Sequence, residues 1–424
     1  MGYSCAMRFP HDERVLDLID RTGKFARTDM HYLVRGGFWL TLGQIVSVAA
    51  GFVLSYVLGN FVSKEVFGTY KFVFSLAGMF GTASLTAIGT TVAQAVARGH
   101  EGALRQGFRS YLIWSIPSVI AAFAGSAYYF YNENTTLASS LLIVAICSPL
   151  LTAFNLYASF LQGKKEFRRS SVYGFFLSVI PPLFLISLVI TGYTDSVFLL
   201  IAAYYISIVA LSAFFHIRTM RIYRPRNERD PAMMRNAVHL SFINVLGRVA
   251  SYADSVLVFH YLGAAPLAVY AFAFAPPQYV LRFNGIFKSL ALPKLAERDI
   301  PTLKRTLPRK IMLHFFVAGI ATVGYILLCP YFYQYLFPQY IDSIPYSQAL
   351  GLIILTAPGV WLGQTLIAHM RKKELYLLNT VSPLIKLALF VTLIPLFGIW
   401  GVVYAALATG VLGFMLSAWV FSRL

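Results

Sequence analysis

An all-helical, polytopic membrane protein of about twelve spans, arranged as two six-helix bundles, is the fold class this sequence predicts. Three observations predict it. Hydrophobic residues fill 58% of the 424 positions and charged residues only 12%, against roughly a quarter charged in an average soluble domain. Apolar runs long enough to cross a bilayer, about 17–25 residues each, recur along the chain. A stretch near the start also returns near the middle: "GQIVSVAAGFVLSYVLG" (43–59) and "GRVASYADSVLVFHYLG" (247–263) share their bounding glycines and Ser47/Ser251, Ala49/Ala253 and Leu58/Leu262.

The first element is a charged arm, residues 1–33. Within it Val15, Leu18, Ile19 and Phe25 share one face of a helix over 12–25, which suits the membrane surface; a short solvated helix is the alternative. No apolar segment of the kind that marks a cleavable signal precedes the first span. The twelve apolar runs follow at 34–59, 67–96, 110–131, 137–162, 170–192, 196–217, 236–262, 267–290, 309–330, 345–368, 375–396 and 399–421. After the sixth comes the basic stretch "RTMRIYRPRNERDPAMMR" (218–235). The predicted organisation is therefore an arm (1–33), a first bundle (34–217), a linker (218–235) and a second bundle (236–424). The repeat extends to "YKFVFS" (70–75) and "YAFAFA" (270–275). Six spans per copy is an even number, so the halves enter the membrane in the same orientation, a parallel repeat about the membrane normal.

The net charge of +18 is a topology signal and not a nucleic-acid footprint. All Lys and Arg except Lys64, Lys71, Arg248, Arg282 and Lys386 fall in the termini or in alternate connections. By the positive-inside rule those segments and both termini are cytoplasmic, and the chain belongs in the cell membrane. The three cysteines, Cys5, Cys147 and Cys329, imply neither a disulfide framework nor a metal cluster.

Charges inside spans are the informative residues, because a cation at the bilayer centre costs at least about 2.5 kcal/mol unless it meets water or a partner. Helical rise places Arg248 and Lys386 near mid-membrane, Arg282 in the inner half of the eighth span and Lys288 at its cytoplasmic mouth. These four cations form a ladder for an anionic ligand; a purely structural role is the alternative. Asp254 stands further out and is a candidate for ion coupling, with a structural bond to a cross-helix partner the alternative; it is six residues from Arg248, about 120° around the helix, so a direct salt bridge is awkward. Gln44, Asn155, Asn244 and Asn379 lie on polar faces with small or hydroxylated neighbours and are candidate cavity residues. Ser and Thr alone on such faces are more simply packing residues. Pro276 and Pro277 remove backbone hydrogen bonds from the eighth span and make a candidate hinge.

Four stretches carry a resemblance to a known family. "YVLGNFVSKEVFGTY" (56–70), "YADSVLVFHYLGAAPLAVYAFAFAP" (252–276), "LFPQYIDSIPYSQAL" (336–350) and "LIPLFGIWGVVYAALATG" (393–410) resemble the polysaccharide-biosynthesis flippases that export O-antigen and similar repeat units. That family belongs to the multidrug/oligosaccharidyl-lipid/polysaccharide (MOP) exporter superfamily. Pro338 and Ala268 stand where the family usually has glycine. The resemblance implies a MATE-like fold and the passage of an undecaprenyl-pyrophosphate-linked glycan from the inner to the outer leaflet. It also allows coupling to H+ or Na+ and contacts with a glycan polymerase or glycosyltransferases. A pyrophosphate is a dense anion that Arg and Lys hold by charge-assisted hydrogen bonds.

Rival functions fit less well. A multidrug antiporter of the same superfamily usually takes organic cations, yet Asp254 is the one carboxylate well inside a span. A glycan polymerase or ligase would call for a large outer loop or an acidic motif, and the longest outer connection (331–344) carries only Asp342. A sugar carrier of the major facilitator type would show a G-x-x-x-D-R-x-G-R-R-like run, which "ARGHEGALRQGFR" (97–109) does not match. No nucleotide-binding loop is present. No catalytic residue, cofactor or metal is expected.

Overall fold

The computed structural model describes residues 30–228, 230–282, 295, 297–369 and 371–424, with backbone only at 30–40, 282 and 372. The amphipathic arm and Lys288 lie outside the described residues. The first half comprises α1 (Met30–Phe61), α2 (Lys64–Gly81), α3 (Ile88–Ala97), α4 (Ala103–Trp114), α5 (Ile116–Tyr131), α6 (Thr135–Gly163), α7 (Phe167–Ile190) and α8 (Val197–Tyr223). The second comprises α9 (Met233–Leu262), α10 (Ala264–Arg282), α11 (Ile300–Leu336), α12 (Ile344–Gly351), α13 (Val360–Ala368), α14 (Lys372–Phe397) and α15 (Ile399–Ser422). Two 3₁₀ segments, Pro338–Ser343 and Leu352–Gly359, flank α12.

Among the described residues ten stretches are long and apolar enough to cross a membrane. The chain is a multi-pass membrane protein. Two predicted spans account for the difference from twelve. The run 67–96 is not one helix: Thr82 Oγ1 donates to Met79 O (2.6 Å) and Ser84 Oγ to Gly81 O (2.7 Å), and the chain leaves the helix between α2 and α3. Short hydroxyl side chains compete with the backbone in this way. The eighth span is described only as far as Arg282, and its helix α10 runs through Pro276 and Pro277.

Local chemistry sets the helix ends. Ser63, Asn134 and Ser196 cap α2, α6 and α8 by accepting from Val66, Leu137 and Leu199 N–H, relieving donors that have no partner in the first turn. Gly263, at φ +95°, stops α9, a conformation that any Cβ would disfavour. Exposed Met312, Leu313, Phe316, Ile320, Val323 and Leu327 follow helical spacing along α11, a lipid-facing stripe.

Two ends of the molecule differ. At one end, called here the aromatic end, a single buried core takes residues from both halves, among them Phe67, Val73, Leu141, Leu267, Phe272, Tyr333 and Val402. Here α2 packs on α10 and α9. At the opposite, basic end the cores separate. Ile88, Leu104, Tyr157 and Phe160 form one with Met233 and Ala237 from the start of α9; Leu303, Leu307, Leu362 and Phe421 form the other.

The aromatic end is closed by direct contacts between halves. Phe72 stacks on Phe259 with centroids 3.8 Å apart, and Phe272 stacks on Tyr340 at 3.8 Å. Asn60 Nδ2 donates to Leu336 O (2.8 Å), Gln339 Nε2 donates to Asn60 O (2.8 Å), and Lys64 pairs with Asp342 at 2.9 Å. Gly68 lets the backbones meet: a Cβ there would stand 1.9 Å from Ala264 O.

At the basic end the connection between halves is fastened to the first half. Arg98 pairs with Asp230 (2.6 Å), and Gly102 N–H donates to Glu228 O (3.0 Å). Glu101 pairs with Lys164 and accepts from Arg226 N–H. The Lys164 ammonium beside it holds the Glu101 carboxyl below the usual range for a glutamate.

Candidate functional site: two cavities in the basic half

Two cavities of comparable size open in the basic half of the molecule. The second-half cavity, about 580 Å³, lies between α9, α14 and α15 and is lined by Asn244, Gly247, Arg248, Asn379, Ser382, Ser417 and apolar neighbours. A smaller apolar cavity of about 280 Å³ adjoins it at Ser382 and Gly413 and is bounded by Leu412, Leu416 and Trp419. The first-half cavity, about 550 Å³, lies between α3 and α6 and is lined by Thr86, Gly89, Thr90, Ala93, Gln94, Ala97, Ser159, Gln162 and Gly163. Both larger volumes fall within the roughly 300–1,000 Å³ typical of small-molecule sites.

Helical spacing explains both linings. Asn244 and Arg248 are one turn apart on α9, and Asn379 and Ser382 one turn apart on α14, so α9 packing on α14 brings four polar side chains to one surface. Arg248 stands midway along the 30-residue α9. Among the described residues no carboxylate lies within salt-bridge distance of it. An unpaired guanidinium at that depth needs water or an anion.

Three of the predicted residues therefore share one site: Arg248, Asn244 and Asn379. Lys386 continues the Asn379–Ser382 face of α14, but its ammonium sits 5.2 Å from the centroid of the Phe390 ring and is not part of the lining. The Arg282 side chain and Lys288 lie outside the described residues, so the lower rungs of the predicted ladder do too. Gln44 is exposed on α1 and lines neither cavity. Asn155 lies one turn before Ser159 on α6, and its Oδ1 is buried with no hydrogen-bond partner among the described residues.

Asp254 lies apart from both cavities. It is buried on the aromatic side of Arg248, where Tyr270 Oη of α10 donates to its Oδ2 (2.9 Å) and Ser255 N–H donates to Oδ1 (2.7 Å). Its cross-helix partner is thus a tyrosine, not a cation. Among the described residues no group of three His, Cys, Asp or Glu is placed to hold a metal ion.

Sequence reasoning missed the α3 side of the first-half cavity. The signal was present: Thr86, Gly89, Thr90, Ala93, Gln94 and Ala97 recur at steps of three and four. The two cavities also approach each other. Ala87 N–H, beside Thr86, donates to Ser241 Oγ (3.0 Å), and Ser241 precedes Asn244 by less than one turn of α9.

Known proteins share this architecture. The chain superposes on an inward-facing multidrug resistance MATE family transporter of the MOP superfamily with TM-score 0.70 and 13% identity, covering 89% of this chain and 98% of that one. For the lipid II flippase MurJ, in an inward closed conformation, the values are 0.66 and 16%, with 91% and 87% covered. A MOP superfamily transporter from Pyrococcus furiosus, described as having a binding pocket of reverse polarity, gives 0.60 and 16%, with 91% and 95% covered. At such identities the likeness concerns the fold, which is that of the MOP transporters. A search of curated proteins finds no match. The family model for polysaccharide biosynthesis proteins matches residues 33–297, well over half of the chain, and the chain belongs to that family.

Proposed function

We propose that this protein is a flippase that moves a polyprenyl-pyrophosphate-linked glycan from the inner to the outer leaflet by alternating access. The observation that carries the reading is Arg248, at mid-helix with no carboxylate partner among the described residues, in a cavity with Asn244, Asn379 and Ser382. A guanidinium flanked by amides and a hydroxyl suits a pyrophosphate, which presents several strong acceptors. The adjoining apolar cavity beside Trp419 suits the first isoprene units of the lipid. Family membership and the likeness to MOP transporters support a flippase or exporter. With the basic end cytoplasmic, as the positive-inside rule predicts, the cavities face the side on which the substrate is made. Passage of the anion outward is then favoured by an inside-negative potential, by about 2.3 kcal/mol per charge per 100 mV.

A cation-exporting antiporter would call for a carboxylate in the cavity. Among the described residues none lines either large cavity, and Asp254 is engaged with Tyr270. Lys386, one turn beyond Ser382 on α14, would leave the Phe390 ring to receive the anion as it moves toward the aromatic end. Asp254 would couple an ion to the cycle by exchanging its Tyr270 bond for a proton or Na+. The substrate itself crosses with none of its covalent bonds made or broken.

The test is flipping of an undecaprenyl-pyrophosphate-linked oligosaccharide by purified protein in liposomes. Arg248→Ala should insert normally and lose transport, and Arg248→Lys should retain part of it, since charge survives and bidentate geometry does not. Full transport by Arg248→Ala would overturn the reading.

A further inference from the structure

We infer that the first-half cavity is the glycan compartment, so that one substrate is read in two places: pyrophosphate in the second half, sugar in the first. This rests on the flippase reading and adds a second, chemically distinct subsite to it.

The polar side chains of the first-half cavity are Thr86, Thr90, Gln94, Ser159 and Gln162, and none is charged. Hydroxyls and carboxamides both donate and accept hydrogen bonds, which is what a sugar's hydroxyl groups require. An anion is poorly served there. The two basic residues that directly follow the cavity-lining segments are already neutralised, Arg98 by Asp230 and Lys164 by Glu101. Arg248 has no such partner among the described residues. The charge patterns of the two cavities therefore differ by pairing as well as by composition.

Of the buried polar side-chain atoms that lack a partner among the described residues, two lie in or next to this cavity. Thr86 Oγ1, in the lining, and Asn155 Oδ1, one turn deeper on α6 than Ser159, are both buried without a hydrogen bond. Unsatisfied buried polar atoms are uncommon, and a polar ligand or water that reaches them recovers their cost. Connectivity fits as well. The Ala87–Ser241 hydrogen bond joins the rim of one cavity to the helix that lines the other. Ser241 and Asn244 are about 4.5 Å apart along the axis of α9. A pyrophosphate beside Arg248 thus has its attached sugar directed across that seam.

The experiment measures binding to the full chain in nanodiscs. The probes are undecaprenyl pyrophosphate and a panel of undecaprenyl-pyrophosphate-linked oligosaccharides of differing sugars. The wild type should bind at least one glycan-bearing probe about tenfold more tightly than the bare lipid, the effect of one or two good hydrogen bonds. Gln94→Leu combined with Gln162→Leu should erase that preference and leave affinity for the bare lipid unchanged. Thr90→Val, a near-isosteric change, should reduce the preference in part, and thermal melting checks that each variant folds. The inference is overturned if no glycan adds affinity, if the amide variants keep the preference, or if they weaken both probes equally. Arg248→Ala separates the two claims. Unchanged affinity for bare undecaprenyl pyrophosphate would defeat the anion site while the glycan preference still decides the compartment.

Discussion

On α9, Arg248 lines a cavity and Asp254 accepts a hydrogen bond from Tyr270 of α10. The repeat places Gln44 and Ala50 at the matching positions of α1, and neither can do the same. Tyr70, the match of Tyr270, packs against Phe74 much as Tyr270 packs against Phe274, but Phe74 in turn meets Tyr204 and Tyr205. The shared glycine differs as well: Gly263 ends α9 at positive φ, whereas Gly59 lies inside α1 beneath Phe272 and Phe337. At the matched positions the second half thus carries the charges and the first does not, while aromatic packing is common to both. The second-half cavity, proposed as the anion site, is lined by Arg248, and the first-half cavity by hydroxyls and amides.

The aromatic end, where the halves meet, gives the most severe way to break this arrangement. Gly68→Val would drive a side chain into the Ala264 carbonyl, which is backbone and cannot rotate away. Overpacking of this kind costs about 1–3 kcal/mol. It should lower crosslinking between cysteines placed at 64 and 342 in the same chain and shift the population toward a form open at that end. Unchanged crosslinking would show that the close approach is not needed for closure.

The Asp254–Tyr270 bond sharpens the comparison. Tyr270→Phe leaves a buried carboxylate with one partner fewer, at a cost of about 1–3 kcal/mol. The prediction is a lower melting temperature with transport lost in proportion. Asp254→Asn keeps a hydrogen-bonding group and should fold, so its transport under a pH or Na+ gradient tests ion coupling separately. A gradient response equal to the wild type would remove Asp254 from the coupling scheme.

Smaller effects belong to the ends. Glu101 has a depressed pKa because Lys164 stands beside it. Its contribution to stability is therefore present above the unfolded-state value, about 4.3, and is lost as pH falls through the lower folded-state value. Glu101→Gln should abolish that acid-side loss, read as the pH dependence of thermal melting below about pH 4. Removing the exposed Lys64–Asp342 pair should matter least, by less than about 1 kcal/mol and less still in salt.

Much of this was legible in the sequence, for identifiable reasons. Apolar runs declare membrane helices because unsatisfied backbone is so costly in lipid. Arg248, Asn244 and Asn379 were legible because buried charge and its polar neighbours need a reason to be there. The break at 82–87 was not, since Thr82, Ser84 and Thr86 interrupt an apolar run without lowering its hydropathy much. Thr90 and Gln94 were hidden for a related cause: small and uncharged polar residues serve helix packing equally well. Tyr270 as the partner of Asp254 depended on the angle between α9 and α10, which spacing alone does not contain.

The central claim is that the charge gained by the second half is what binds the anion. Arg248→Gln tests it most directly, because it restores to α9 the residue found at the matching position of α1. The account predicts that affinity for undecaprenyl pyrophosphate, measured on folded protein in nanodiscs, falls at least about tenfold, as loss of a charge-assisted contact implies. Wild-type affinity in that variant would contradict it.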